Sequence, residues 1–190
     1  MSRITTKFSL RFVRHMEKKF KIQLRQEIKE LLIKYKNNLQ CIGYSRYDVY
    51  VAFCYLILKN KVNMPLMEFL KYTNLFDFDV NVSNIYKILE KLSINPKPVD
   101  LELLVERYGK QLKLDRKVIQ KAKEIVVKLN NLGGKNPVPI ALASLYLANL
   151  IVNLKSLELR ELAKFGTTEV SIRKYIKEGM KTLTLGVVVR

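Results

Sequence analysis

Apolar residues recur at three- and four-residue steps along most of this chain. Val118, Ile119, Ala122, Ile125, Val126 and Leu129 form one such series, with Arg116, Lys117, Lys121, Lys123 and Lys128 between them. That spacing gathers the apolar side chains on one face of a helix. Leu24, Ile28, Leu31, Leu32 and Tyr35 repeat the pattern earlier. Strand-like alternation is nearly absent, and only Val187-Val188-Val189 at the end reads as extended. Start and stop signals predict ten helices, over about 6–20, 22–38, 46–60, 64–73 and 82–93, then 99–112, 115–131, 137–153, 157–165 and 168–183. Asp115, Asn136, Ser156 and Thr168 stand where each can cap the helix that follows. Gly133-Gly134 can end a helix in a left-handed turn.

The two sets of five helices look alike. Asn95-Pro96-Lys97-Pro98 blocks helix continuation twice between them. Val51-Ala52-Phe53-Cys54-Tyr55-Leu56 occupies the heart of the third helix in the first set, and Leu142-Ala143-Ser144-Leu145-Tyr146-Leu147 the same place in the second. In both sets a linker, a compact amphipathic helix (Leu66 to Tyr72, Leu157 to Phe165), a break and a basic helix follow. The break after Tyr72, Thr73 to Asp79, is the longer of the two. An internal repeat accounts for this, with domains expected over residues 1–95 and 96–190. The most apolar helix of each unit should lie in the middle, with Ala52 and Ala143 allowing close approach.

Charge narrows the function. The chain carries 35 Lys and Arg against 17 acids, a net charge of +18. Up to Pro98 there are 18 basic and 8 acidic residues, and beyond it 17 and 9, so the surplus is +10 and +8 and belongs to both halves. A surplus of this size points to a polyanionic partner. Cys41 and Cys54 form no Cys-x-x-Cys pair and His15 is the single histidine, so a four-ligand zinc site is unavailable and no metal or cofactor is expected. No apolar run reaches the roughly 20 residues of a membrane span. The N-terminal residues lack the pattern of a signal peptide. A soluble, intracellular protein is the expectation.

Candidate chemistry concentrates at the end of the second set. Leu159, Leu162 and Ala163 make the inner face of a short helix, Gly166 suits a turn, and Thr168 opens a second helix. This is the order of a helix-turn-helix. Ile172 and Ile176 should point inward, leaving Val170, Ser171, Arg173, Lys174 and Lys177 outward near the start of the second helix, where a recognition helix meets the major groove. Arginine can grip guanine through two hydrogen bonds, and valine can meet a thymine methyl. The DNA-binding candidates are therefore Thr168, Val170, Ser171, Arg173, Lys174 and Lys177. The acids Glu158 and Glu161 stand at salt-bridge spacing from Arg160 and Lys164, and no phosphate loop or nucleophile motif occurs, so an enzyme is not expected.

Gly134-Lys135-Asn136-Pro137 followed by Ala141 to Ala148, then Arg160-Glu161-Leu162-Ala163 and Thr168 to Arg173, resembles the second cyclin repeat of archaeal transcription factor B and eukaryotic factor IIB. Lys97-Pro98-Val99-Asp100 is similar to that family's inter-repeat junction, and the short apolar tail also fits. The first repeat matches in layout and over Tyr44 to Tyr55, whereas its break and fifth helix are diverged. The resemblance implies an all-α fold of two tandem five-helix cyclin-like repeats, the second ending in a helix-turn-helix. It implies two partners: promoter DNA and the TATA-binding protein bound on it. The second repeat's recognition helix would read an upstream promoter element through positions matching Val170 and Arg173, with Ser171, Lys174 and Lys177 near phosphates. Family members carry an aromatic one turn after that arginine; here Ile176 stands there and Tyr175 one step earlier.

RNA polymerase is the further partner the resemblance implies, yet the zinc ribbon and reader segment that engage it have no counterpart in these residues. The chain is expected to be a truncated core or a naturally short relative, nucleoid-associated in an archaeon or nuclear in a eukaryote. The alternative is a cyclin-fold adaptor that binds protein and reads no DNA sequence. A stand-alone basic repressor would bind its site without the TATA-binding protein.

Overall fold

The computed structural model describes residues 3–76, 80–131 and 136–188, with side chains described for 11–76, 80–131 and 136–183. The described residues form eleven helices and no strand, an all-α, cyclin-like fold. The chain divides into two compact units, Met1–Pro98 and Val99–Arg190, each with its own apolar core.

The first unit holds α1 (Arg3–Phe20), α2 (Leu24–Lys34), α3 (Lys36–Cys41), α4 (Arg46–Val62), α5 (Leu66–Asn74) and α6 (Val82–Lys91). The second holds α7 (Leu101–Gln111), α8 (Arg116–Asn130), α9 (Pro137–Asn153), α10 (Leu159–Ala163) and α11 (Glu169–Val188). The repeat is most exact in the central helices α4 and α9, both 17 residues long. Ser45 caps α4 by accepting from the Asp48 N–H, and Asn136 caps α9 by accepting from the Val138 N–H. Both helices end on a left-handed residue, Asn63 at φ +53° and Leu154 at φ +54°. Residues Val51 to Leu58 are buried without interruption in α4, and Val138 to Leu145 in α9. A helix apolar all round must be enclosed on all sides, which is why these two form the middle of their units. In the second unit α9 packs against α7, α8 and α11.

The structure departs from the sequence-based reading at several points. The segment expected as one helix over 22–38 is two, α2 and α3, broken at Tyr35, whose ring packs inward against Phe53 with centroids 6.1 Å apart. The extended tail is absent: α11 remains helical through Val188, while Val189 lies outside the described residues. Ser156 starts no helix, because α10 begins after Glu158 and has no side-chain cap. Asp115 stands at the start of α8 without a capping hydrogen bond. Gly133-Gly134 and the end of the first repeat's break, residues 77–79, lie outside the described residues.

Gly109 and Gly179 sit inside helices, each against a side chain of a neighbouring helix. A Cβ at Gly109 of α7 would stand 2.6 Å from Cγ1 of Ile119, and one at Gly179 of α11 would stand 2.5 Å from Cδ1 of Leu147. Ile119 is β-branched and held to few rotamers on α8, so it has little room to yield at Gly109. Alanine in place of a helical glycine ordinarily stabilises by roughly 0.5–1 kcal/mol. Gly109→Ala is expected instead to destabilise the second unit by about 1 kcal/mol, since overpacking outweighs the propensity gain. Urea denaturation measures it, and a gain in stability would show that α7 and α8 do not meet this closely.

Candidate nucleic-acid interface

The helix-turn-helix segment is held in place by contacts with α9 and α7 of its own unit. Upstream, the buried Asn149 of α9 donates from Nδ2 to the Lys155 carbonyl at 2.7 Å, and its Oδ1 accepts from Asn153 at 3.0 Å. That pair fixes how the chain leaves α9. Leu162 of α10 is fully buried. Phe165, which follows α10, packs on Tyr108 of α7 with ring centroids 4.6 Å apart. Gly166 then adopts φ +96°, a conformation that side-chain-bearing residues rarely take.

Thr168 opens α11. Its Oγ1 accepts from the Ser171 N–H at 3.2 Å and lies 3.0 Å from the Ser171 hydroxyl. Thr168 and Ser171 were both expected at DNA; the structure joins them to each other as the cap of the helix. Either hydroxyl keeps capacity for one further hydrogen bond, since each oxygen can both donate and accept. Glu169 adds a negative charge in the first turn, favourable against the helix dipole.

Ile172 is fully buried, and Ile176 and Tyr175 are each 8% exposed. These three anchors set the rotation of α11. Burial of Tyr175 settles the direction that the departure from the family pattern left open: both Tyr175 and Ile176 face the core. Val170 stands out at 77% exposure, an unusual position for a bare valine. Arg173, Lys174 and Lys177 are exposed. Arg173 reaches Glu169 at 3.4 Å, and Lys174 lies 5.8 Å from the centre of the Tyr175 ring. The Arg173 pair is solvent-exposed on both sides and therefore weak, so the guanidinium is free to exchange partners.

Arg173 and Lys174 diverge in surroundings. Arg173 and Lys177 border an open groove of about 430 Å³ with Lys181, over a floor of Tyr146, Leu159, Ile176 and Met180. Lys174 is not part of it. Lys181 escaped the sequence reading, although it stands four residues after Lys177 just as Lys177 stands four after Arg173. A periodicity count carried to the end of the helix would have found it. Together the cations make a stripe about 12 Å long on α11. Among the described residues no group of His, Cys, Asp and Glu could hold a metal ion, and no helix is long and apolar enough to cross a membrane.

No family profile matches the chain. Individual proteins do. The chain is 32% identical over 134 residues to transcription initiation factor IIB of Pyrobaculum islandicum, covering 68% of this chain and 40% of that protein. It is 34% identical over 104 residues to transcription initiation factor IIB 3 of Halobacterium salinarum, 53% of this chain and 32% of the other. With transcription initiation factor IIB 1 of Thermoplasma volcanium it shares 33% over 110 residues, 56% of this chain and 35% of the other. The matched region spans well under half the length of these relatives.

Proposed function

The chain is a homologue of the archaeal transcription initiation factors IIB, and from that premise we propose that it acts in transcription initiation by binding promoter DNA together with the TATA-binding protein. Initiation factors are not enzymes, in keeping with the lack of any catalytic constellation in the sequence. In this reading α11 enters the major groove of an upstream promoter element. Val170 and Arg173 meet base edges, while Lys174 and Lys177 meet phosphates. Thr168 and Ser171 order the first turn, and whichever of the two hydroxyls accepts in their mutual hydrogen bond keeps its own proton to donate to a phosphate.

One observation carries the proposal: a capped helix, locked in rotation by Ile172, Tyr175 and Ile176, that holds an exposed valine and an exposed cationic stripe on its outer side. Rigid presentation is what base reading needs, because a bidentate contact fails when the side chain's origin shifts by an ångström.

The test is a mobility shift on a promoter duplex with and without TATA-binding protein. Binding by the chain alone should be weak and indifferent to sequence, and TATA-binding protein should tighten it and fix its register. With about five phosphates engaged, log K should fall against log salt with a slope of roughly −4 to −5. A flat salt response would remove DNA as the partner. The adaptor reading finds support in the apolar floor beneath Arg173 and Lys177, a surface that also suits a protein segment. It expects association with the TATA-binding protein that is unchanged when the upstream element is scrambled.

A further inference from the structure

A cavity of about 600 Å³ opens in the first unit where α2, α3, the connector 42–45 and the start of α4 meet. Leu32 of α2, Leu39 of α3, Tyr44 of the connector, and Val49 and Tyr50 of α4 line it. Val49 is buried and the other four are half-buried, so together they make an apolar floor. Lys36, Gln40 and Arg46 also line the cavity and are exposed, which puts them at its mouth. The lining draws on both sides of the break at Tyr35. The helix in the same place of the second unit, α8, runs 15 residues without such a break.

The walls are fixed before any ligand arrives. Gly43 turns the connector through a left-handed φ of +71°, and Ser45 caps α4. The Lys91 ammonium, on α6, donates to the Ile42 carbonyl at 3.1 Å and lies 5.1 Å from the centre of the Tyr44 ring. Charge at the mouth is uncompensated. Neither Lys36 nor Arg46 takes part in an ion pair among the described residues. Asp48, two residues after Arg46, is committed elsewhere: its carboxylate accepts from the Ser45 hydroxyl and, at 3.2 Å, from Nδ2 of Asn84. No acid is among the described residues that line the cavity.

We propose that this cavity binds a small organic acid, with its apolar body on the floor and its carboxylate at the mouth against Lys36 and Arg46. The volume falls within the roughly 300–1,000 Å³ of small-molecule sites, which share a preformed apolar interior and a few polar groups that fix orientation. A phosphate backbone would use the two cations and leave the floor unfilled. A helical peptide would need apolar anchors in a row along a groove, whereas these come from four segments around one compartment. The inference goes beyond the proposed function and does not depend on it, since no residue of α10 or α11 takes part.

The probe is 1-naphthaleneacetate. It is set against 1-naphthaleneacetamide, which keeps the body and loses the charge, and against acetate, which keeps the charge and loses the body. Calorimetry and backbone amide chemical shifts follow binding to the full chain. The acid should bind with a Kd of about 1 mM or tighter, the scale that per-atom affinities allow a probe of this size. Its shifts should centre on residues 32–50, and acetate at equal concentration should not reproduce them. The amide should bind about 5-fold more weakly, as two exposed ion pairs imply. Lys36→Gln/Arg46→Gln should bring acid and amide within about 2-fold of each other. Gln40→Trp, a bulky side chain at the exposed mouth, should block both. Lys117→Gln/Lys128→Gln removes the same charge from exposed positions of α8 and should change nothing. Circular dichroism checks that each variant is folded. Shifts scattered over the basic surface, an equal loss in the α8 variant, or full binding by Gln40→Trp overturns the inference. So does a preference for the acid that survives removal of Lys36 and Arg46.

Discussion

Leu145→Ala is expected to destabilise the second unit by about 2–5 kcal/mol, toward the upper end of that range. Leu145 lies in the middle of α9, fully buried, with Ala141, Leu142, Ala148 and Ile140 also buried around the same turns. Its Cδ2 approaches Gly109 of α7 to within 3.4 Å of where a Cβ would stand. The site can collapse only if α7 moves, and α7 is held by its own core residues Leu104, Val105 and Tyr108. A cavity that the surroundings cannot refill costs the transfer free energy and the lost contacts together. Denaturant unfolding followed at the helical signal measures it. A loss below about 0.5 kcal/mol would mean that α9 is not the centre of this unit. Because α10 and α11 pack within this same unit, the variant should also weaken DNA binding in proportion to its unfolded fraction, with no change in sequence preference.

The second large effect concerns two adjacent cations. Arg173→Ala should cost roughly 1–3 kcal/mol on the preferred upstream element and flatten the preference among element sequences. Lys174→Ala should weaken every sequence about equally and reduce the salt slope by about one. Neighbours on a helix point about 100° apart, so both cannot face the floor of one groove. Burial of Ile172, Tyr175 and Ile176 fixes the rotation, and Arg173 follows Val170 by three residues along the outer edge. Competition titration of both variants with TATA-binding protein present, against an intact and a scrambled element, separates the two. Should the Arg173 variant keep full discrimination, α11 reads no bases and the adaptor reading replaces this one.

Much of this was legible in the residues themselves. Helical periodicity is a local property: three- and four-residue spacing forces an apolar stripe whatever surrounds it, so the helical class, the central helices and the twofold repeat follow from counting. The cap at Asn136 and the turn at Gly166 are likewise local, since each satisfies a backbone demand within a few residues. The inward direction of Ile172 and Ile176 came from the same periodicity, and with it the outward list of Val170, Ser171, Arg173, Lys174 and Lys177.

What escaped the sequence depends on neighbours distant along the chain. The break at Tyr35 between α2 and α3, where the ring packs on Phe53 of α4, has no signal in its own segment. That Ile119 and Leu147 occupy the space a side chain at Gly109 or Gly179 would need is visible only once the helices are packed. In each case local spacing sets which residues can share a face, and packing between helices sets what that face meets, because side-chain contacts between elements are decided by distances that no short-range pattern contains.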